Sequence, residues 1–596
     1  MSPASAVAPA GTVRHGWTGE PAIRVALHLP ATPDAPRRPA DDGPEEARPA
    51  SPTTAVVVCP PLGQDHVVAY RTLRLLSEEL SARGVASVRF DPSGTGDSAP
   101  DDSPDAPVTS ALTAAALLRD AGWARVVFVG LTSGALIAAE AARRLPGAGL
   151  VVWDAPASGR AWVRRQRALA TMSMGADRTV GDRESLVGID LAPGVADRLA
   201  AMTIGSDGDG PVLAVTRPGA PVPPGLAPGA AHVDPPGTAE LLDGTSMAAR
   251  IPGGVVEVVA DWARDAFVGA AGAPSGPDGL DVPAASASTQ APGASDVDRL
   301  TAPVHLDDHL LVRHPDGDVV DRVTTLGPDR LFAVESVPAG AGPRLPVVVL
   351  HNGASEHRVG AADYQVDLAR QLARDGVRVV RFDRRGTGES GPVSADELDL
   401  MFSQEWIDDQ AAVVKAVRAG AAGAGDDLAV VGMCSGAWLA ARSASEAPRL
   451  VIEISPNDYR RKPAAPGAYV DAAREVEDVS AARHWARDRF NRWAPPWLRL
   501  KLARRGPAGD VGAHLGPVVQ AGSRSVLVMS PLDGELFDQL GGPDAVEQLG
   551  GGVEVVRVPE GDHSLFAPRM RATVAEIVRA RVAEAFGTAG PGGAVR

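Results

Sequence analysis

Cysteine is nearly absent: the 596 residues hold two, Cys59 and Cys434. They fall in what read as different domains, which argues against a structural disulfide and for a reducing compartment. No Cys or His cluster has metal-ligand spacing, so neither a metal nor a cofactor is expected. Long apolar runs are missing too. No stretch reaches about 18 uninterrupted apolar residues, and the opening MSPASAVAPAGTVRHGW lacks a basic start followed by an apolar core. Neither secretion nor a membrane span is supported, and the expected location is the cytoplasm. Lysine is scarce, and Lys plus Arg total 58 against 74 Asp plus Glu, for a net charge of -16. A phosphate backbone demands a basic face, so a nucleic-acid partner is excluded. The acidity serves solubility, and oligomeric state is left open.

What is present is enough chain for two cores. Residues 1–19 read as a disordered leader, 20–268 as one domain, 269–300 as a flexible linker, 301–588 as a second domain and 589–596 as a tail. The linker GAAGAPSGPDGLDVPAASASTQAPGAS is too small in its side chains and too Pro-broken to bury a core. In both domains apolar runs alternate with amphipathic segments. In the first, AVVVC leads to a helix over 71–83, the strand 85–90, a helix over 109–121 and the strand 126–129. This is the β, α, β order of a doubly wound α/β fold with a parallel sheet covered on both faces. The second domain opens with a polar, strand-rich segment over 304–337, then repeats the plan with a helix over 363–374. RFDPSGTGDS from Arg89 and RFDRRGTGES from Arg381 agree at seven of ten positions, and GLTSGA answers GMCSGA. Internal duplication is the simplest account. Each copy is expected to carry a small helical cap. In the second it covers about 458–522 and includes RHWARDRFNRWAPPWLRLKLARR. A basic membrane-surface helix and a plain packed helix are the rival readings of that stretch.

The chemistry is expected at VVGMCSGAWLA, where an apolar strand ends in Gly432, Met433, Cys434, Ser435, Gly436 and continues as a helix. This is a nucleophile elbow with cysteine where serine usually stands. A thiol at the first turn of a helix feels the positive end of the macrodipole, which favours the attacking thiolate. His563 lies after the last strand and before the last helix, and is the expected base. Asp533, just past the end of the strand SVLVMS, is the expected orienting acid. Asp538, Glu535 and Asp458 compete with it, and Asp562 reads as a loop-shaping residue. The oxyanion donors are expected to be the backbone N–H of Ser435 and the loop holding Asn352, Gly353 and Ala354. His351, His357 and Arg358 in that loop are candidate substrate contacts. In the first domain the corresponding positions hold Thr132, Arg217 with Pro218, and Ala239. Ser133 and Ser93 remain as hydroxyls without a base, so this copy reads as non-catalytic.

These motifs resemble the α/β-hydrolases of the serine aminopeptidase S33-like group. The second domain is similar to exosortase A system-associated hydrolase type 1, through NGASEHRVG, RFDRRGTGES and GMCSG. The first is similar to type 2, through PPLGQDH, DPSGTGDS, GLTSGALIA and VVWDAPASGRAWVRRQRAL. The second departs from the type-1 pattern at Ser435, where that pattern has aspartate. The resemblance implies an α/β-hydrolase fold and acyl chemistry on an ester or thioester, the substrate being a small molecule or carrier-bound. Hydrolysis and acyl transfer remain open, and the contrasting reading is a scaffold of two inactive domains.

Overall fold

The computed structural model describes residues 11–30, 54–175, 178–205, 209–227, 229–243, 249–267, 304–354, 356–420, 427–469 and 509–588. The linker 269–300, the tail 589–596 and most of the expected second cap, 470–508, lie outside them.

The first domain contributes β1 (Thr12–Thr18), β2 (Ile23–Leu29), β3 (Thr54–Cys59), β4 (Ala86–Asp91), β5 (Arg125–Leu131) and β6 (Gly149–Trp153). An insertion with β7 (Thr179–Val180), β8 (Arg183–Leu186) and β9 (Ile189–Leu191) follows, then β10 (Val212–Val215) and β11 (Ala231–Val233). The main sheet runs β1-β2-β4-β3-β5-β6-β10-β11. The second domain contributes β12 (His309–Val312), β13 (Val319–Leu326), β14 (Leu331–Pro338), β15 (Val347–His351), β16 (Arg378–Phe382), β17 (Leu428–Met433), β18 (Leu450–Ile454), β19 (Arg524–Met529) and β20 (Val553–Arg557). Its sheet runs β12-β13-β14-β16-β15-β17-β18-β19-β20.

Three expectations are corrected. The leader ends earlier than residue 19, because β1 pairs antiparallel with β2 from Thr12 onward. Trp17 is buried there and its indole N–H donates to the Asp97 carbonyl at 2.8 Å. The sheets are mixed: β3 to β6 run parallel, but β2 meets β4 antiparallel and β14 meets β16 antiparallel. Each sheet begins with antiparallel strands, β1-β2 in the first and β12-β13-β14 in the second, which short connections permit, and the last of these strands lies antiparallel against the edge of the parallel part. The first domain's insertion is not purely helical. It joins the helix Gly159–Met174 to the three-stranded antiparallel sheet β7-β8-β9.

The central strands are apolar throughout because helices cover both faces. Alternation divides their side chains. Val57 and Cys59 face one cluster while Val56 and Val58 face the other. Val348, Ala429 and Val431 separate in the same way from Val347, Leu428 and Val430.

The duplicated turns are built alike, residue by residue. The Asp91 carboxylate accepts from the backbone N–H of Asp97 at 3.0 Å, and Asp383 accepts from that of Glu389 at 2.9 Å. Ser98 accepts from the N–H of Arg24 at 2.8 Å, and Ser390 from that of Phe332 at 2.9 Å. The carboxylate crosses directly over a glycine: a Cβ on Gly388, at φ +47, would stand 2.2 Å from Asp383 Oδ2. Gly388→Ala is therefore expected to cost more than about 2 kcal/mol, combining backbone strain with a clash. Gly376→Ala, at φ +88 in open space, should cost about 1 kcal/mol from the backbone alone. Denaturant unfolding of the two variants checks the order.

Candidate active site

The elbow forms because the sequence places two glycines where backbone meets backbone. A Cβ on Gly432 would lie 1.9 Å from the Gly436 carbonyl oxygen, and one on Gly436 would lie 2.4 Å from the Asn352 carbonyl oxygen. The helix Ser435–Arg442 can thus close on the strand end, and Cys434 takes φ 51, ψ -118 between them. Its N–H donates to the Ile454 carbonyl at 2.9 Å, and its thiol is half-buried.

The three residues expected to act together do converge. His563 Nδ1 lies 2.8 Å from Asp533 Oδ1, and Cys434 acts on the imidazole from the other side. Burial disfavours the charged ring, but the Asp533 carboxylate and the Cys434 side chain outweigh it and raise the His563 pKa from 6.5 to about 11. Asp533 sits in the first turn of the helix Pro531–Gln539, with Ser530 donating to its other oxygen at 2.6 Å. Burial alone would raise this carboxyl, yet the imidazole and the Ser530 hydroxyl hold it below the usual range.

The competing carboxylates are engaged elsewhere. Asp458 binds the Arg460 guanidinium at 2.6 Å, Asp538 binds Arg557 at 2.6 Å, and Glu535 is exposed. Asp562 accepts from the N–H groups of Ser564, Phe566 and Ala567 at 2.9, 3.0 and 2.8 Å and shapes the histidine loop.

A Cβ on Gly353 would stand 3.1 Å from Cys434 Cβ and 3.9 Å from Sγ, so this backbone packs directly on Cys434. The Asn352 side chain does not point to substrate; its amide donates to the His357 carbonyl and closes the loop. His351, His357 and Arg358 stand apart from the reacting atoms. His351 is buried edge-on against Phe382, His357 stacks on Tyr70 of the first domain, and Arg358 is paired with Asp97 and Asp383. Burial pushes both histidines below their ordinary pKa, so they are neutral packing groups. The expectation that these three touch substrate is corrected accordingly: the loop turns them into the protein.

Sequence reasoning missed three neighbours. Asn457 lies beside Cys434 and His563, its Oδ1 3.8 Å from Cys434 Sγ and its Nδ2 3.3 Å from His563 Nε2. Arg384 is buried, with Nη2 donating to the carbonyls of Gly353 and Ala354 at 3.3 and 2.8 Å and its guanidinium 4.0 Å from the Trp406 ring centroid. Burial raises the Glu356 carboxyl to about 7 against the opposing pull of Arg384 and His563. Glu356 and Arg384 had a signal, since they fall inside the motifs NGASEHRVG and RFDRRGTGES.

The first domain keeps the backbone and not the groups. Thr132 has φ 49, ψ -118, and its N–H donates to the Trp153 carbonyl at 2.9 Å. Where the other domain has its acid, Arg217 binds Asp154 at 2.9 Å and Asp243 at 2.5 Å. Ala239 lies in the short helix Thr238–Leu242. Cys59 is buried in β3, which pushes its thiol up. Among the described residues no group of three His, Cys, Asp or Glu is placed to hold a metal ion, and no helix is long and apolar enough to cross a membrane.

If the thiolate sustains the imidazolium, Cys434→Ala should titrate His563 at a lower pH than the wild type. An NMR titration of the His563 ring checks this, and an unchanged midpoint would contradict it.

Residues 347–577 match the family model described as "Alpha/beta hydrolase family", and the topology is the α/β-hydrolase fold. No curated protein matches the chain. Solved structures similar to it include XC6422 from Xanthomonas campestris, a member of the a/b serine hydrolases without lid, at 19% identity over 44% of this chain and 93% of that one, TM-score 0.26. The Pyrococcus furiosus esterase Pf2001 is 17% identical over 44% and 91%, TM-score 0.27. An acetyl xylan esterase from Paenibacillus sp. R4 is 18% identical over 45% and 87%, TM-score 0.27.

Proposed function

We propose that the second domain is a cysteine-dependent hydrolase or acyltransferase acting on an ester or thioester, and that the first domain is non-catalytic. The observation that carries the reading is the convergence of Cys434, His563 and Asp533, with His563 Nδ1 2.8 Å from Asp533 and Asn457 reaching both Cys434 Sγ and His563 Nε2. The thiolate attacks the acyl carbonyl carbon. A C–S bond forms, and the carbonyl π electrons move to an oxyanion met by the N–H of Ser435 and the turn at Gly353. Collapse of this intermediate expels the alcohol or thiol, which takes the proton from His563 Nε2. The acyl group is left on Cys434 as a thioester. His563, neutral again and held by Asp533 at Nδ1, then removes a proton from water or another acceptor, which attacks the thioester and frees the thiolate. Because a thioester stays activated toward amines, alcohols and thiols, both outcomes fit one site.

Asn457 fits this cycle. Its amide donates to Nε2 when the ring is neutral, and by turning over can accept from it when the ring is charged. The non-catalytic reading of the first domain is supported by Thr132, Arg217 and Ala239, which supply neither base nor acid. The motifs quoted above support placing the two domains with the type-2 and type-1 hydrolases as part of this proposal.

Incubation with a chromogenic acyl ester, followed by mass mapping of the trapped adduct, should locate the acyl group on Cys434. Cys434→Ala should lose at least about 10³-fold in turnover. Asp533→Asn should lose about 10²–10⁴-fold while Cys434 still takes an adduct. An adduct on Thr132, or turnover unchanged in Cys434→Ala, would overturn the reading.

A further inference from the structure

We propose that the first domain is an intramolecular positioning subunit: it holds the loop 352–360 of the second domain against Cys434, and so sets the oxyanion side of the site. This rests on the reading of Cys434 as nucleophile, and concerns what keeps its surroundings in place.

The loop has two ends with different supports. Its near end, at Gly353, touches the nucleophile, and Arg384 of the same domain ties down the carbonyls of Gly353 and Ala354. Its far end is built against the other domain. The His357 ring stacks on Tyr70 with centroids 4.1 Å apart and planes 23° from parallel, and His66 meets the same ring at 5.7 Å. Neither ring nitrogen of His357 has a partner among the described residues, so the stack is what seats it.

Charge balance makes the first domain necessary. Arg358 and Arg381 are both buried in the second domain. Arg358 pairs with Asp383 at 2.9 Å, but it also pairs with Asp97 of the first domain at 2.8 Å. Arg381 binds the same Asp97 at 2.6 Å. Asp97 therefore neutralises the loop and the strand end together. Burial alone would raise its carboxyl, and the guanidiniums of Arg358 and Arg381 hold it far below the usual carboxylate range. Without Asp97, Arg358 would keep Asp383 and Arg381 would lose the carboxylate it binds, leaving a buried charge that a low-dielectric interior does not tolerate.

The contact is also reciprocal. In each copy of the duplicated turn the first residue is an arginine and the ninth an acid. Arg89 reaches across to Glu389 at 2.8 Å, and Arg381 reaches back to Asp97 at 2.6 Å. First meets ninth in both directions, which is the signature of a twofold interface. The two domains sit against one another like the halves of a dimer, and only one half retains the reactive groups. A second attachment lies at the first domain's insertion. Ala170 and Met174 enter the second domain's core, and Asp190 binds Arg571 at 2.6 Å.

The test uses full-length Tyr70→Ala and Asp97→Asn, with Asp97→Glu as the conservative variant. Asp97→Asn is nearly isosteric and serves if Tyr70→Ala fails to fold. Three quantities are read: turnover of a chromogenic ester, alkylation of Cys434 by iodoacetamide, and hydrogen exchange of the loop 352–360. Alkylation requires the thiolate but no oxyanion donor, whereas turnover requires both. Turnover should fall about 10- to 100-fold while alkylation stays within about twofold, the loop exchanges faster, and Asp97→Glu recovers part of the loss. Turnover within about twofold of wild type with unchanged exchange would overturn the proposal. So would alkylation falling in step with turnover, because that reports collapse of the whole site. If wild-type Cys434 neither turns over ester nor alkylates, the catalytic reading fails, and loop exchange alone still decides whether the first domain positions the loop.

Discussion

The elbow backbone is the constraint around which the protein is arranged. Cys434 occupies a conformation that side-chain-bearing residues adopt only under compulsion, at a cost of about 1–3 kcal/mol. The compulsion comes from β17, whose six residues are all buried, and from the helix that starts at Ser435. Between them, Gly432 and Gly436 allow carbonyl groups to approach to distances that any Cβ would block. Burying even two or three of the β17 side chains offsets the strain several times over. The result is a thiol at a helix N-terminus, at the carboxyl edge of the sheet, where the loops after β15, β18, β19 and β20 all arrive.

The first domain shows that this strain does not depend on chemistry. Thr132 carries the same φ and ψ to within a few degrees, and the turns after β4 and β16 repeat each other's hydrogen bonds. Yet in the first domain Arg217, locked between Asp154 and Asp243, follows the strand that answers the one before Asp533. What survived is the part of the design that packing enforces. The charged residues of the duplicated turns have a different use, in that they join the two copies.

Much of this could be read in advance. Strand and helix order, the duplicated turns and the meeting of Cys434, Asp533 and His563 all follow from local patterns: apolar runs, flanking glycines, and residues placed just after strand ends. The misreadings share a cause. His357 and Arg358 looked like exposed polar groups in a loop, but Tyr70 and Asp97, which cover them, belong to another domain far away in the chain, and His351 is buried against Phe382 of its own domain. Asn457 and Arg384 were passed over because their nearness to Cys434 depends on how the loops after β18 and β16 fold back.

Sequence alone determined the chemistry available at each position, because residue type and short-range spacing decide which groups follow a strand and which conformations the backbone can hold. Tertiary structure decided which charges are neutralised. Two arginines of one domain and an aspartate of the other are separated by hundreds of residues, and only folding brings them into a space from which water is excluded. There Coulomb attraction is strong enough to make them a single unit. That is why the elbow cysteine was legible in the chain and the ion pairs between the two domains were not.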